Sequence, residues 1–152
     1  MRRLASGPGL DTIPGMDDGP MTQEVVVRTG RHSELRDVTA AVEERVASSG
    51  VREGVCLVFV PHTTAGVLIN ENADPGVLED VIATLDRLVP WKGDYRHNED
   101  NAAAHIKAIL VGASQLVPVR DGRLSLGRWQ GIYFAEFDGP RERRLQVTVR
   151  PA

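Results

Sequence analysis

The last third of the chain is cut into short apolar runs by turn residues. Residues 116–119 precede Asp121-Gly122, residues 124–126 follow, and the run Ile132-Tyr-Phe-Ala-Glu-Phe137 ends before Gly139-Pro140 and the alternating Leu145-Gln-Val-Thr-Val149. Runs and connections this short leave no room for crossover helices, so their backbone groups must pair with antiparallel neighbours. The C-terminal part is therefore expected to hold three or four antiparallel strands.

Upstream, Val25, Val26 and Val27 mark a first strand. Leu35, Val38, Val42 and Val46 recur at three- and four-residue steps, which predicts an amphipathic helix capped by Ser33 and stopped near Gly50. Residues 54–60 form a β-branched apolar run that reads as a central strand, with 66–70 as its partner across Pro61-His-Thr-Thr. Asp74 before Pro75 is a helix start, and Val77, Leu78, Val81, Ile82, Leu85 and Leu88 carry its apolar stripe to Pro90. A further helix over 99–111, ended by Gly112, places Ala102, His105, Ile106, Ile109 and Leu110 on one face, expected to point inward. This order predicts an α+β single-domain sandwich, a mostly antiparallel sheet packed by helices. Residues 1–21, dense in Gly, Pro and Asp, are expected to be a flexible leader before a domain over 22–152.

Composition narrows the function classes. A chain of 152 residues with 41% hydrophobic and 26% charged content holds enough apolar material for one core. Its 21 acidic and 18 basic residues lie without long blocks of either sign, which argues against a dedicated nucleic-acid or membrane binder. No apolar run reaches about 18 residues. The lone Cys56 sits among Val55, Leu57 and Val58 like a buried small hydrophobe, a pattern that suits a reducing cytoplasm.

Chemistry is expected where histidines gather. Of four in the chain, His62 lies in Val60-Pro-His-Thr-Thr-Ala-Gly66, and His97 and His105 lie in one polar segment. Together these three would supply the nitrogen set of a catalytic zinc site with a fourth position open. An unbroken helix would separate His97 and His105 by about 12 Å, so His97 must precede the helix. The competing reading makes His105 a core histidine, His62 a strand-end hydrogen bonder and His97 a surface residue. Glu71, Asp74, Glu79 and Asp80 are candidates for magnesium. Asp74 is already explained as a cap and the next two as a solvated face, leaving Glu71 as the acid/base candidate. Glu136, inside an apolar run, is either exposed or a buried carboxylate with a raised pKa. Arg141, Arg143 and Arg144 could hold phosphate or form a plain basic turn, and Thr63 and Thr64 could donate to phosphate or cap a turn. Trp129 and Gln130 offer a flat surface and an amide for a heterocycle, the alternative for Trp129 being a core position.

The segment from Ser114 to Ile132, with Val117, Val119, Gly122, Gly127, Trp129 and Gln130 in register, resembles the signature of the YjbQ family, also described as secondary thiamine-phosphate synthase enzymes. Pro61-His-Thr-Thr, Asn70-Glu-Asn-Ala-Asp74, Asp94-Tyr-Arg-His97, residues 101–107 and Phe137-Asp-Gly-Pro-Arg141 are similar to family segments in the same order. Arg128 stands where the family pattern often has threonine, which bears on the phosphate preference. The resemblance implies a homotrimer with sites near subunit contacts. It also implies joining of a pyrimidine diphosphate to a thiazole phosphate with release of pyrophosphate, a reaction that needs a divalent ion. The dedicated synthases are TIM barrels of about 200 residues or more, so fold kinship with them is absent. Two alternatives accompany this expectation. One is a histidine-site, metal-dependent hydrolase or lyase on a phosphorylated metabolite; the other is a non-enzymatic trimeric binding module.

Overall fold

The computed structural model describes residues 21–152. The leader expected over 1–21 lies outside the described residues except for Met21, which opens the first strand. The elements follow as β1 (Met21–Arg28), β2 (Glu34–Asp37), α1 (Thr39–Ser49), β3 (Gly54–Phe59), β4 (Ala65–Glu71) and α2 (Pro75–Leu88). Then come α3 (Ala102–Val111), β5 (Ser114–Arg120), β6 (Arg123–Leu124), β7 (Gln130–Glu136) and β8 (Glu142–Pro151). Among the described residues all strand pairings are antiparallel, in a five-stranded sheet ordered β1-β8-β3-β5-β6 and a three-stranded sheet ordered β2-β7-β4. The α+β sandwich expected from the sequence is the fold observed.

Two cores explain the strand patterns. Between the sheets lie Val25, Val27, Cys56, Val58, Val67, Val117, Ile132, Phe134, Leu145 and Val147, with Val42 and Val46 of α1. On the other face of the small sheet, Ala104 and Ala108 of α3 meet Ala135 and Phe137, with Ile82 and Leu85 of α2 against them. Strand β7 lies between both cores and is buried from Gly131 to its end, which is why its sequence is a continuous apolar run rather than an alternating one.

Three elements depart from the sequence expectation. Residues 34–37 are a strand on β7, and the helix begins later, where the Asp37 carboxylate accepts the Thr39 N–H (2.9 Å) and hydroxyl (2.6 Å). Leu35 fitted the helical spacing by coincidence, since it packs on the second core while Val42 and Val46 enter the first. Helix α3 starts at Ala102 and buries Ala103, Ala104, Lys107 and Ala108. The larger residues expected inward stand out instead, Ile109 at 79% and Leu110 at 60% exposure. Small side chains let α3 lie close to the small sheet: a Cβ on Gly66 would come within 2.5 Å of the Gly112 carbonyl oxygen. Helix α2 forms as expected, with the Asp74 side chain accepting the Gly76 N–H at 2.8 Å.

Candidate functional site

The Pro61-His-Thr-Thr corner joins β3 of the large sheet to β4 of the small one, so it lies where the two sheets meet. Beneath it is a buried ionic network. Glu136, with no exposed surface, receives Arg143 Nε (2.8 Å) and Nη2 (2.6 Å), the Thr29 hydroxyl (3.0 Å) and the backbone N–H groups of Phe137 (3.1 Å) and Asp138 (3.0 Å). The same Arg143 Nη2 donates to Thr64 Oγ1 at 2.8 Å. Burial pushes the Glu136 carboxyl up, but the hydrogen bonds from Arg143, Asp138 and Thr29 and the arginine charge outweigh it and hold the group below its ordinary range. Glu136 is therefore a buried carboxylate, as one of the two expected readings had it, with its pKa displaced downward rather than upward.

His62 stands above this network and accepts the Arg144 backbone N–H at Nε2 (2.9 Å), which assigns the proton of the neutral ring to Nδ1. Burial and the Arg143 charge lower its pKa, against a smaller opposite effect of Glu136, so the ring is neutral near pH 7. His62, Thr63 and His105 line one cavity of about 340 Å³, together with Ala65, Ala108, Ile109, Gly112 and Ala113. His105 Nε2 is buried without a hydrogen-bond partner. His97 lies before α3, as the helix geometry required, and meets the His105 ring edge to face at 5.0 Å between centroids.

The three histidines are thus neighbours, yet they do not form the expected ligand set. Among the described residues no three His, Cys, Asp or Glu side chains converge to hold an ion. The physical reason lies at His62, whose Nε2 is occupied by a backbone donor; ligation through Nδ1 would move the proton to Nε2 and oppose that N–H. His97 is half exposed, with Nε2 3.7 Å from Glu99. The magnesium candidates disperse as well, Asp74 serving as the α2 cap and Glu79 and Asp80 lying exposed on that helix.

The phosphate candidates divide. Arg143 and Thr64 are buried and committed to Glu136 and to each other, so neither is a free phosphate ligand as the sequence suggested. Arg141 is half exposed but held on Asp138, through the carbonyl oxygen (2.7 Å) and Oδ2 (3.1 Å). Arg144 pairs with Glu24 at 2.6 Å. Thr63 remains exposed at the cavity.

Glu71, Trp129 and Gln130 belong to a second locus. The small sheet pairs Ala65 with Glu136 at one end and Glu71 with Gln130 at the other. The length of β4, about 20 Å, separates Glu71 from the histidine corner, so Glu71 cannot exchange protons with His62 within one chain. Trp129 is 56% exposed, not core, with the Arg128 guanidinium 4.9 Å from its ring centroid. Gln130 Oε1 accepts the Gly127 N–H at 2.7 Å, fixing the loop. The sequence reading missed the coupling of Glu136 to Arg143: Glu136 inside an apolar run was a usable signal, whereas Arg143 lies in the charged run Arg141-Glu-Arg-Arg144.

Comparison with known proteins fits this architecture. Residues 23–152 match the model of the UPF0047 protein YjbQ-like family. The chain belongs to this family. It is 49% identical over 130 residues to the UPF0047 protein YugU of Bacillus subtilis, covering 85% of this chain and 98% of that protein. It is 47% identical over 123 residues to a UPF0047 protein of Methanocaldococcus jannaschii, covering 81% and 89%. A YjbQ/UPF0047 family crystal structure from Clostridium acetobutylicum, described as an uncharacterized conserved protein, superposes with TM-score 0.82 at 50% identity, covering 84% of this chain and 98% of that one. A protein of unknown function from Sulfolobus solfataricus gives TM-score 0.84 at 38% identity, covering 88% and 98%. No helix among the described residues of this family member is long and apolar enough to cross a membrane.

Proposed function

We propose that this protein is a small cytoplasmic enzyme acting on a phosphorylated small molecule, with the His62–His105 cavity as its reaction site. One observation carries the reading. Two imidazoles border a single cavity, one with an unpartnered buried nitrogen and the other held by a backbone donor over a fixed Arg143–Glu136 pair. Such an arrangement suits proton transfer, since an imidazole can both accept and donate a proton and His62 cannot turn without losing its backbone bond. Arg143 contributes a positive field beneath the site rather than a hydrogen bond to substrate. The transferase reaction implied by the resemblance, pyrimidine diphosphate plus thiazole phosphate, is retained as a secondary activity within this class. Trp129 would stack its pyrimidine and Arg141 would meet phosphate if a second copy brings the far end of the small sheet to the histidine corner. A homotrimer is proposed for that reason and for the apolar surface discussed below.

The test is turnover of a panel of phosphate esters, together with the pyrimidine–thiazole pair, by the wild type and by His62→Gln and His105→Gln. Loss of turnover by about 10²-fold or more in both variants, with unchanged stability, is expected of acid/base residues. Turnover indifferent to both substitutions rejects the site. Zinc or magnesium binding is a separate proposal, one that requires His62 to release the Arg144 N–H or a second copy to supply a ligand. About one zinc per chain, lost in His97→Ala, would support it, and equal metal content in both proteins would reject His97 as a ligand.

A further inference from the structure

Helix α3 turns two polar faces to two different cavities. His105 and Lys107 are two positions apart, hence about 200° apart around the helix axis. His105 faces the cavity described above. Lys107 lines another, of about 680 Å³, walled by Arg31, His32, Ser33, Ile82, Asp86, Pro90 and Trp91.

We propose that this second cavity binds a small organic anion, a carboxylate or phosphate carried on a planar ring. The floor is Lys107, whose side chain is 3% exposed and whose ammonium donates to Asp86. An ammonium has three donors, and among the described residues Asp86 is the one acceptor it reaches. A desolvated cation with two donors unused is costly, and an entering anion supplies the missing acceptors. Asp86 is 53% exposed and can swing to solvent as the anion arrives. At the rim, no hydrogen bond or ion pair among the described residues engages the exposed Arg31 guanidinium. Two basic side chains against one carboxylate leave the wall net positive, and a guanidinium is suited to grip a carboxylate or phosphate.

The remaining wall selects what carries the anion. Trp91 packs on the second core and is met edge-on by His32, at 4.2 Å between centroids and 87° between planes. This fixed indole, with Ile82 and Pro90, forms an apolar side on which a flat ring can lie while its charged group points to Lys107. The volume falls in the range of small-molecule sites.

The experiment follows the Trp91 indole N–H by nitrogen-15 NMR, distinguished from the chain's other tryptophan by Trp129→Phe. Phenyl phosphate, benzoate, phenol and inorganic phosphate are titrated in turn. A saturable shift of the Trp91 signal with phenyl phosphate or benzoate is expected, whichever binds naming the anionic group. Phenol and inorganic phosphate should each bind about tenfold more weakly, lacking charge or ring. Arg31→Ala, an exposed change that spares the core, should weaken the aromatic anion about tenfold. Lys107→Met should remove binding if that variant keeps the native circular dichroism; if it does not, Arg31→Ala decides. Absence of a saturable shift with both aromatic anions at millimolar concentration overturns the proposal, as does affinity unaltered by Arg31→Ala or equal affinity for phenol. The readout does not depend on turnover at the histidines, so the two readings fail separately.

Discussion

A guanidinium and a carboxylate that leave water together must recover their lost hydration in hydrogen bonds, and Glu136 does so with both oxygens filled by Arg143, Thr29 and two backbone donors. Removing one partner strands the other. Arg143→Met is expected to lower unfolding free energy by about 3–5 kcal/mol in urea denaturation, whereas removing both partners with apolar replacements should cost much less. The pH dependence follows from the depressed carboxyl of Glu136. Its folded value lies below the ordinary value of 4.5, so the unfolded chain takes up the proton first as the solution is acidified. The stabilisation is complete above that ordinary value and is lost as pH falls through the folded one. Denaturation midpoints across this acidic range should therefore fall more steeply for the wild type than for Glu136→Gln. Cys56 behaves in the opposite sense. Burial, aided by the Glu43 charge, pushes its thiol up to about 11, so a disulfide reagent should label native protein very slowly and unfolded protein at once.

At the scale of elements, what was legible depended on whether a single residue decided the outcome. Asp74 before Pro75 ordained the start of α2, and Asp74→Ala should cost about 1 kcal/mol by thermal or urea unfolding, the usual worth of a cap. The Asp121-Gly122 turn and the runs around it were readable for the same reason, since turn chemistry is local. Illegible were features set by partners distant in sequence. Residues 34–37 took strand form because β7 offered an edge, and α3 turned its alanines inward against Ala135 and Phe137, some thirty residues on. The candidate site divided along the same line. Histidine clustering pointed to His62, His97 and His105, but the Arg144 N–H that occupies His62, and the Glu136 that claims Arg143, meet them only where the two sheets come together. Gly66→Ala probes the tight contact between β4 and the end of α3, with the Val67 N–H donating to the Gly112 carbonyl at 3.0 Å. The added methyl must displace backbone, so a loss of about 1–3 kcal/mol is expected, measured by denaturant unfolding.

For the molecule as a whole, the decisive quantity is apolar surface left uncovered by a single chain. Strand β3 buries Cys56 and Val58 in the core, yet its opposite face carries Val55, Leu57 and Phe59, each more than one-third exposed. The register places Leu116 beside Leu57 and Pro118 beside Val55, which makes these side chains one continuous patch on the outer face of the five-stranded sheet. A strand apolar on both faces is the mark of a sheet covered on both sides, and α1, α2 and α3 all lie elsewhere. Ile109 and Leu110 add apolar surface on α3, and Ile109 lines the histidine cavity, so association there would also affect entry to the site. In the proposed homotrimer this surface would be covered by neighbouring copies through heterologous contacts. Sedimentation of the wild type should give three times the chain mass. Leu57→Asp with Leu116→Asp, both on the outer face, should yield a smaller species with the same far-ultraviolet circular dichroism, since neither side chain contributes to the buried core. If the doubly charged variant still sediments as a trimer, the outer face of the large sheet is not the contact, and Ile109→Glu with Leu110→Glu becomes the discriminating pair. If the wild type itself sediments as a monomer, the supposed meeting of the Trp129 end with the histidine corner is lost. The His62–His105 cavity must then carry the chemistry with the residues of one chain.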